Sequence, residues 1–235
     1  YTDISGGYNS GFRNPTLDDM TRSGMMYMGF KLANPELMPE WSDNFQLSAN
    51  FTNGNTRISL DGTYSIGRNY MAYLHTGESV FGGRRPVVQL SNISEVISRK
   101  GNLSLRRRFF DKYTLYANYS FTDARINSFE DRPELVGNQL IYTPVHGLNS
   151  GMEARTRFLN FGLAAHYRSE QFTNDENTES IDAHTTVDLS ATKDFGQHFR
   201  LELSAQNVFD RRYLVYYTQL SLGRFLSAKV VYKIP

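Results

Sequence analysis

Apolar and polar residues alternate along much of this chain. From Phe199 to Gln206 the apolar side chains Phe199, Leu201, Leu203 and Ala205 take every second position, with Arg200, Glu202, Ser204 and Gln206 between them. A period of two is that of a strand whose two faces meet different surroundings. The same alternation recurs from Phe45 to Phe51, Ile58 to Ile66, Tyr113 to Phe121, Met152 to Phe158, Phe161 to Tyr167 and Val187 to Ala191, and more weakly from Leu226 to Ile234. Helical periodicity is poor throughout, with room for a single turn at Pro133 to Val136.

The spacing between these stretches predicts about ten antiparallel strands, the first near Tyr1 to Tyr8 and the last near Arg224 to Pro235. Short turns are expected at Thr52 to Asn55, Phe110 to Lys112, Leu159-Asn160 and Gly196-Gln197. Between them fall long connections, Gly11 to Glu40, His75 to Leu90, Ile126 to Val145, Thr173 to Asp182 and Leu214 to Leu222. Short and long connections alternate, which is the layout of an outer-membrane barrel with tight turns at one rim and long loops at the other. Alternation by itself also suits a sandwich with wet outer faces, so the connection lengths carry the distinction. An even number of crossings puts both chain ends at the short-turn rim. Leu47, Leu60, Leu115, Leu163 and Leu203 are expected to face lipid, and Gln46, Asp61, Asn118, His166 and Glu202 to face inward.

Composition sharpens this picture. The chain has 235 residues, 40% hydrophobic, with 16 Phe and 15 Tyr against 1 Trp, yet its mean hydropathy is a polar −0.48. Phe51, Phe109, Tyr113, Phe158, Phe161, Phe195, Phe199 and Tyr232 cluster beside the short turns, as an interfacial girdle requires. The longest apolar run, Met25 to Phe30, is far shorter than the roughly 20 residues of a membrane helix. Lys plus Arg number 25 and Asp plus Glu 24, so no net field recruits nucleic acid. With no cysteine a disulfide scaffold, a thiolate metal site and a cysteine nucleophile are excluded.

Two segments carry a resemblance. Gly11-Phe12-Arg13-Asn14-Pro15-Thr16-Leu17, followed by Ala33-Asn34-Pro35-Glu36-Leu37-Met38-Pro39-Glu40, resembles the paired signature in the barrel of TonB-dependent outer-membrane receptors. Val187 to Ala191, a short turn, Leu201 to Gln206 and then Asn207-Val208-Phe209-Asp210-Arg211-Arg212-Tyr213 is similar to that family's penultimate hairpin, with Gly223-Arg224-Phe225 opening the last strand. The likeness runs over residues 1–235. It implies an all-β transmembrane antiparallel barrel, of which this chain would be the C-terminal part of a 22-stranded whole, without the plug domain, the TonB-binding segment or the first strands. It further implies active import, across the bacterial outer membrane, of a scarce nutrient of the iron-siderophore, haem or cobalamin class, with the TonB complex, membrane lipid and lipopolysaccharide as partners. One departure is the ending Tyr232-Lys233-Ile234-Pro235, where the family has an aromatic last residue. The rival readings are a small passive porin and an omptin-like surface protease, in which ten strands close by themselves.

The signature residues themselves suit structural work. Pro15, Pro35 and Pro39 stop strands, Asn207 and Asp210 close side-chain-to-backbone turns, and Arg13 and Glu40 are placed to pair across a loop base. Capture of a ligand is expected in the long loops. Met25, Met26, Tyr27, Met28 and Phe30 beside Arg22 and Lys31 offer an apolar and aromatic grip, against the alternative that they pack the loop. Arg84 and Arg85 suit anionic carboxylates or catecholates, against lipopolysaccharide phosphate or a neighbouring carboxylate. The Phe-Arg-Asn-Pro and Asn-Pro-Glu-Leu pair is also similar to boxes flanking a haem-binding loop in haem receptors. No histidine lies between them here, so Tyr27 or a Met would have to ligate the iron.

His75, His146, His166, His184 and His198 lack metal-ligand spacing, and neither a resident metal nor a cofactor is expected. Asp18, Asp19 and Asp210 with a loop histidine form the one set an aspartate-histidine protease would use. On the polar faces Arg57, Asp61, Arg106, Arg108, Glu153, Arg155, Arg157, Arg168, Asp188, Arg200 and Glu202 would line the lumen, solvated or holding a plug.

Overall fold

The structure is a computed structural model that describes residues 1–216 and 219–232. Strand β1 (Thr2–Arg13) leads through a short helix α1 (Leu17–Thr21) and the small strands β2 (Gly24–Met26) and β3 (Gly29–Leu32) to β4 (Glu40–Asn53). Next come the long β5 (Thr56–Val80) and β6 (Arg85–Phe109), then β7 (Tyr113–Ser128), β8 (His146–Arg155) and β9 (Asn160–Arg168). The strands β10 (Gln171–Phe172) and β11 (Ser180–Ile181) precede β12 (His184–Phe195) and β13 (Phe199–Gln206), and β14 (Leu214–Tyr216) and β15 (Gln219–Leu220) precede β16 (Phe225–Tyr232).

Ten of these make one antiparallel meander in the order β1-β4-β5-β6-β7-β8-β9-β12-β13-β16. The sheet is an open wall, with β1 and β16 each paired on one side only among the described residues. The expected fold, strand number and neighbour pairing hold. Both ends lie at the short-turn rim, since the Tyr1 ammonium donates to the Thr52 carbonyl (2.8 Å) and Tyr232 pairs with Phe199. Residues 233–235, and with them the expected end of the last strand at Ile234 and Pro235, lie outside the described residues.

The register separates the two faces as the alternation predicts. Leu47 (61% exposed), Leu60, Leu115, Leu163 and Leu203 (45%) all lie exposed on the apolar face. On the opposite face Ser48 donates to Asp61 (2.7 Å), and the His166 ring meets Asn149 (2.7 Å) and Asp188 (3.4 Å). Aromatic side chains close the apolar face at both ends. Phe195, Phe199 and Tyr232 mark the short-turn rim; Tyr8, Phe12, Trp41 and Phe45 mark the other. From Phe51 to Trp41 the strand advances roughly 33 Å, about 25 Å along the normal at a barrel's usual tilt, the height of a bilayer's apolar band.

Three expectations need correction. The connection His75 to Leu90 is not a loop: β5 and β6 continue paired to Val80 and Arg85, turning only through Phe81 to Arg84, with a register shift between His75 and Ser79. Val87, Val88 and Leu90 have enough apolar side chain to be buried here, which the polar neighbours Glu78, Gly82 and Gly83 obscured. The strand read as Met152 to Phe158 ends at Arg155, because Thr156 accepts from the N–H groups of Phe158 and Leu159 and forms the turn. Finally, α1 was not expected; Thr16 caps it by accepting from the Asp19 N–H (3.2 Å). The single turn at Pro133–Leu135 is present, as a 3₁₀ turn.

Beyond Arg68 and Glu95 the β5–β6 ribbon rises above the rest of the wall, since β7 pairs with β6 only from Glu95 onward. There it becomes the centre of a crown. One flank of the ribbon, Tyr70, Ala72, Leu74, Ile93 and Val96, packs with Ile126 of β7 and with Phe129 and Leu135 of the β7–β8 connection. The other, Met71, Tyr73 and Leu90, packs with Met20 and Leu37 of the β1–β4 connection. The edge of β6 that β7 leaves free is taken by β3 in parallel, Phe30 to Leu32 against Val87 to Gln89. Gly29 makes this possible: a Cβ there would collide with the backbone carbonyl of Pro86.

Candidate functional site

The signature residues form the base of the crown. Phe12 and Arg13 end β1, and Arg13 donates to Glu40 (3.0 Å) and to the Met71 carbonyl (3.2 Å). Glu40 in turn accepts from the Met71 N–H (2.7 Å), so the expected Arg13–Glu40 pair also fastens the ribbon. Gly11 continues β1 opposite Ser42, and the half-buried Pro15 follows the strand end. Asn34 donates to the Leu90 carbonyl (2.9 Å) and accepts from Glu36 (3.1 Å), with Pro35 exposed beside it. Asn207 closes its turn as expected, accepting from the Arg211 N–H (2.9 Å) and donating to the Arg211 carbonyl (2.8 Å). Asp210 accepts from the Arg224 N–H (2.7 Å), while Phe209 is exposed.

Two of the three acids of the protease alternative, Asp18 and Asp19, have a different occupation. Lys31, buried, donates to Asp18 (2.7 Å) and Asp19 (3.1 Å), and Tyr73 donates to Asp19 (3.4 Å). The Lys31 ammonium, the largest influence on Asp18, and the Thr16 hydroxyl, the largest on Asp19, hold both carboxyls below their usual range; the Asp18 contact likewise raises Lys31. No hydrogen bond or ion pair among the described residues joins them to Asp210 or to a histidine.

Of the residues expected to grip a ligand, Arg22 is exposed and 3.6 Å from Asp18. Met25 and Tyr27 project from the β2–β3 hairpin, Tyr27 58% exposed; Met26 and Phe30 are half-buried, and Met28 is buried. Arg84 stands exposed in the ribbon's tip, and Arg85 is half-buried as the first residue of β6. The structure thus splits the set, with Tyr27 in the β2–β3 hairpin beside the ribbon and Arg84 in the ribbon's tip.

Two arrangements carry no signal in the sequence. Asp175, buried in the β10–β11 connection, accepts from the His75 backbone N–H (2.6 Å), approaches the His75 ring (3.2 Å) and lies 3.9 Å from Arg132, which also reaches Glu176 (2.9 Å). The Asp175 hydrogen bond raises the pKa of His75, against a smaller opposing effect of burial. The second arrangement is aromatic: Tyr27 packs on Tyr216 (4.8 Å between centroids), which meets Tyr142 edge-on (5.5 Å). Those three side chains come from three different connections.

Tyr142 and Thr143 border two adjoining cavities, about 230 Å³ under Tyr27 and about 590 Å³ at the loop end of the polar face. The larger one is lined by Arg168, His166, His184 and Tyr213, with the His184 and Tyr213 rings stacked at 3.9 Å. Chemically it offers aromatic faces, a guanidinium and hydroxyls, and no carboxylate among its lining residues.

An apolar-backed, polar-faced meander carrying a folded crown with recessed cavities at one rim defines a barrel wall of the outer-membrane receptor class. The family model for TonB-dependent receptor-like β-barrels matches residues 2–208, and the chain belongs to that family. It is 22% identical to heme/hemopexin utilization protein C of Haemophilus influenzae, over 99% of this chain and 36% of that protein. Its fold is similar to that of the ferric yersiniabactin uptake receptor FyuA from Yersinia pestis (TM-score 0.70, 18% identity, 99% of this chain and 34% of that one). It is also similar to the copper transporter OprC (TM-score 0.79, 12% identity, 98% and 37%). The chain spans about a third of the length of each.

Proposed function

We propose that this chain is the C-terminal part of the barrel of an outer-membrane receptor that binds a scarce nutrient and imports it with energy transduced by TonB. The observation that carries the reading is the division of the wall. An uncovered apolar face about one bilayer tall backs a hydrogen-bonded polar face, and an open sheet with two free edges is untenable in lipid without further strands to close it. Residues beyond this chain supply those strands, and a plug in the lumen contacts TonB. Lipid meets the leucines of the apolar face, and lipopolysaccharide meets the loop-side rim.

The nutrient is of the iron-siderophore, haem or cobalamin class, and the crown is where it is taken. Tyr27, Met25 and Phe30 of the β2–β3 hairpin and the exposed Arg22 and Arg84 are the contacts; the buried Met28 and half-buried Met26 and Arg85 support them. The family relationship supports transport over catalysis, and the engagement of Asp18 and Asp19 by Lys31 removes the motive for a protease. The test is nutrient accumulation by cells carrying the full-length receptor, with and without a protonophore. Accumulation that stops when the proton gradient collapses is expected; accumulation that continues unchanged would return the protein to the passive porins.

A further inference from the structure

We infer that the apolar face binds anionic phospholipid at the short-turn rim, where Arg107 and Lys193 each rest a cation on an aromatic ring and leave its charge for a headgroup phosphate. The inference goes beyond the receptor reading above and rests on it only for which rim meets which leaflet.

The two ends of the apolar face treat their cations differently. At the loop end each arginine has an acid of its own: Arg68 meets Asp43 (2.7 Å), and Arg99 (3.3 Å) and Arg125 (2.7 Å) share Asp123. These groups belong to the apolar face, since Asp43 accepts from Tyr8 and Arg99 stands opposite Tyr64. At the short-turn end Arg107 stands opposite Leu115 in the β6–β7 pairing, and Lys193 opposite Leu201 in the β12–β13 pairing. Neither has an ion pair among the described residues. Their neighbours on that face, Leu105 and Leu115 for one and Ala191 and Leu201 for the other, carry no carboxylate.

Each cation has instead a ring two residues nearer the rim. The Arg107 guanidinium lies 4.8 Å from the centroid of Phe109, and the Lys193 ammonium 5.2 Å from that of Phe195. Phe109 and Phe195 are the last residues of β6 and β12. Each cation therefore starts roughly 7 Å of strand short of the rim, about 5 Å along the membrane normal at a barrel's usual tilt, and leaning on the ring carries it toward the headgroups. Across the strands Phe109 continues to Tyr113 and Phe195 to Phe199, an aromatic ledge at headgroup depth. A ring face attracts a cation without neutralising it, so the counter-ion comes from outside the protein. The short turns of a barrel lie on the periplasmic side, and the anion present at that depth is the phosphate of the leaflet's own phospholipid. A headgroup with net negative charge serves better than a zwitterion, whose ammonium competes for the same phosphate.

The test is native mass spectrometry of the full-length receptor, released from detergent in the presence of phosphatidylglycerol or of phosphatidylcholine with the same acyl chains. Phosphatidylglycerol should stay bound at collision energies that strip phosphatidylcholine. Arg107→Gln and Lys193→Gln should each lower the retained phosphatidylglycerol by about one molecule and the double variant by about two. Arg107→Lys should keep the parent's number, and so should Arg99→Gln, because Asp123 already neutralises that arginine. Equal retention of the two lipids, either glutamine variant retaining as much phosphatidylglycerol as the parent, or an equal loss in Arg99→Gln each overturns the inference. Gradient dependence of uptake is measured separately. Uptake that needs the gradient, with lipid retention unchanged in Arg107→Gln and Lys193→Gln, discards this surface and leaves the receptor reading standing; uptake indifferent to the gradient, with the lipid lost in both variants, does the reverse.

Discussion

Leu115 and Ile93 lie on the neighbouring strands β7 and β6 of one sheet, yet Leu115 is 44% exposed and Ile93 is fully enclosed. Leu115 belongs to the wall, where the lipid-side leucines are exposed and the backbone ladder supplies the order. Ile93 belongs to the crown, where Val88 and Leu135 are also fully enclosed. Nearly all of the buried apolar residues lie in the crown. The wall therefore depends on an external apolar medium, and the crown is built as a small water-soluble domain would be.

Two substitutions should break that contrast most sharply. Ile93→Ala leaves a cavity among Leu74, Val96 and Leu135 and should cost about 2–5 kcal/mol. Leu47→Arg, on the same lipid-facing side as Leu115 but midway between the rims at Phe51 and Trp41, should cost about 2–4 kcal/mol. Denaturant titrations in vesicles and in detergent separate the two. The Ile93 penalty should be the same in both, and the Leu47 penalty should shrink in detergent, where headgroups and water reach the site. Equal medium dependence would mean that wall and crown are not different kinds of structure.

The same division explains what the sequence disclosed. In the wall each strand repeats a two-residue pattern and the next strand is its sequence neighbour, so local reading yields the order, the register and the facing of Leu47 or Leu203. In the crown the partners are remote: His75 meets Asp175 from 100 residues away, and Met38 meets Asn92 from 54. Nothing local marks Val87 and Val88 as the edge that β3 will pair with, so the sequence pattern alone makes a loop of His75 to Leu90, the upper part of the β5–β6 ribbon. Arg13–Glu40 and the Asn207 and Asp210 turns were legible because each motif closes on itself at the base. Tyr216 and Tyr142 were not, since their meeting with Tyr27 depends on three connections folding together.

A subtler change separates the crown's own parts. Gly29→Ala inserts a methyl group against the Pro86 carbonyl, and overpacking of this kind costs about 1–3 kcal/mol. Hydrogen exchange should quicken at the amides of the β3–β6 pairing, Phe30 to Leu32 and Val87 to Gln89, with the β12–β13 ladder unchanged. Loss of protection in β12–β13 as well would join crown and wall into one cooperative unit. Smaller again is Arg13→Ala. Arg13 is largely exposed, so its ion pair with Glu40 should be worth about 1 kcal/mol or less, and the effect should show as a modest rise in protease cleavage between Arg13 and Glu40.

The smallest effect expected is one of pH, and it distinguishes two contacts of similar appearance. His75, in the part of β5 above the wall, has its pKa raised by Asp175. A raised pKa means that the protonated ring is favoured in the folded state, so the stabilisation is complete below the unfolded value near 6.5 and is lost as pH rises through the higher folded value. The Lys31 cluster has the opposite sign on its acids. Asp18 and Asp19 are depressed, so their contribution is present above the ordinary aspartate range and is lost only as pH falls through their lowered values. Between pH 6 and pH 8 the Lys31 cluster should therefore hold steady while the His75–Asp175 contact weakens. Limited proteolysis should show the β10–β11 connection, residues 173–179, becoming more accessible at pH 8, with α1 and the β2–β3 hairpin unaffected. His75→Gln should remove that pH dependence while keeping the backbone bond to Asp175. A response of the same size and direction at α1 would show that the two ion-paired groups titrate together and that the crown has no separable halves.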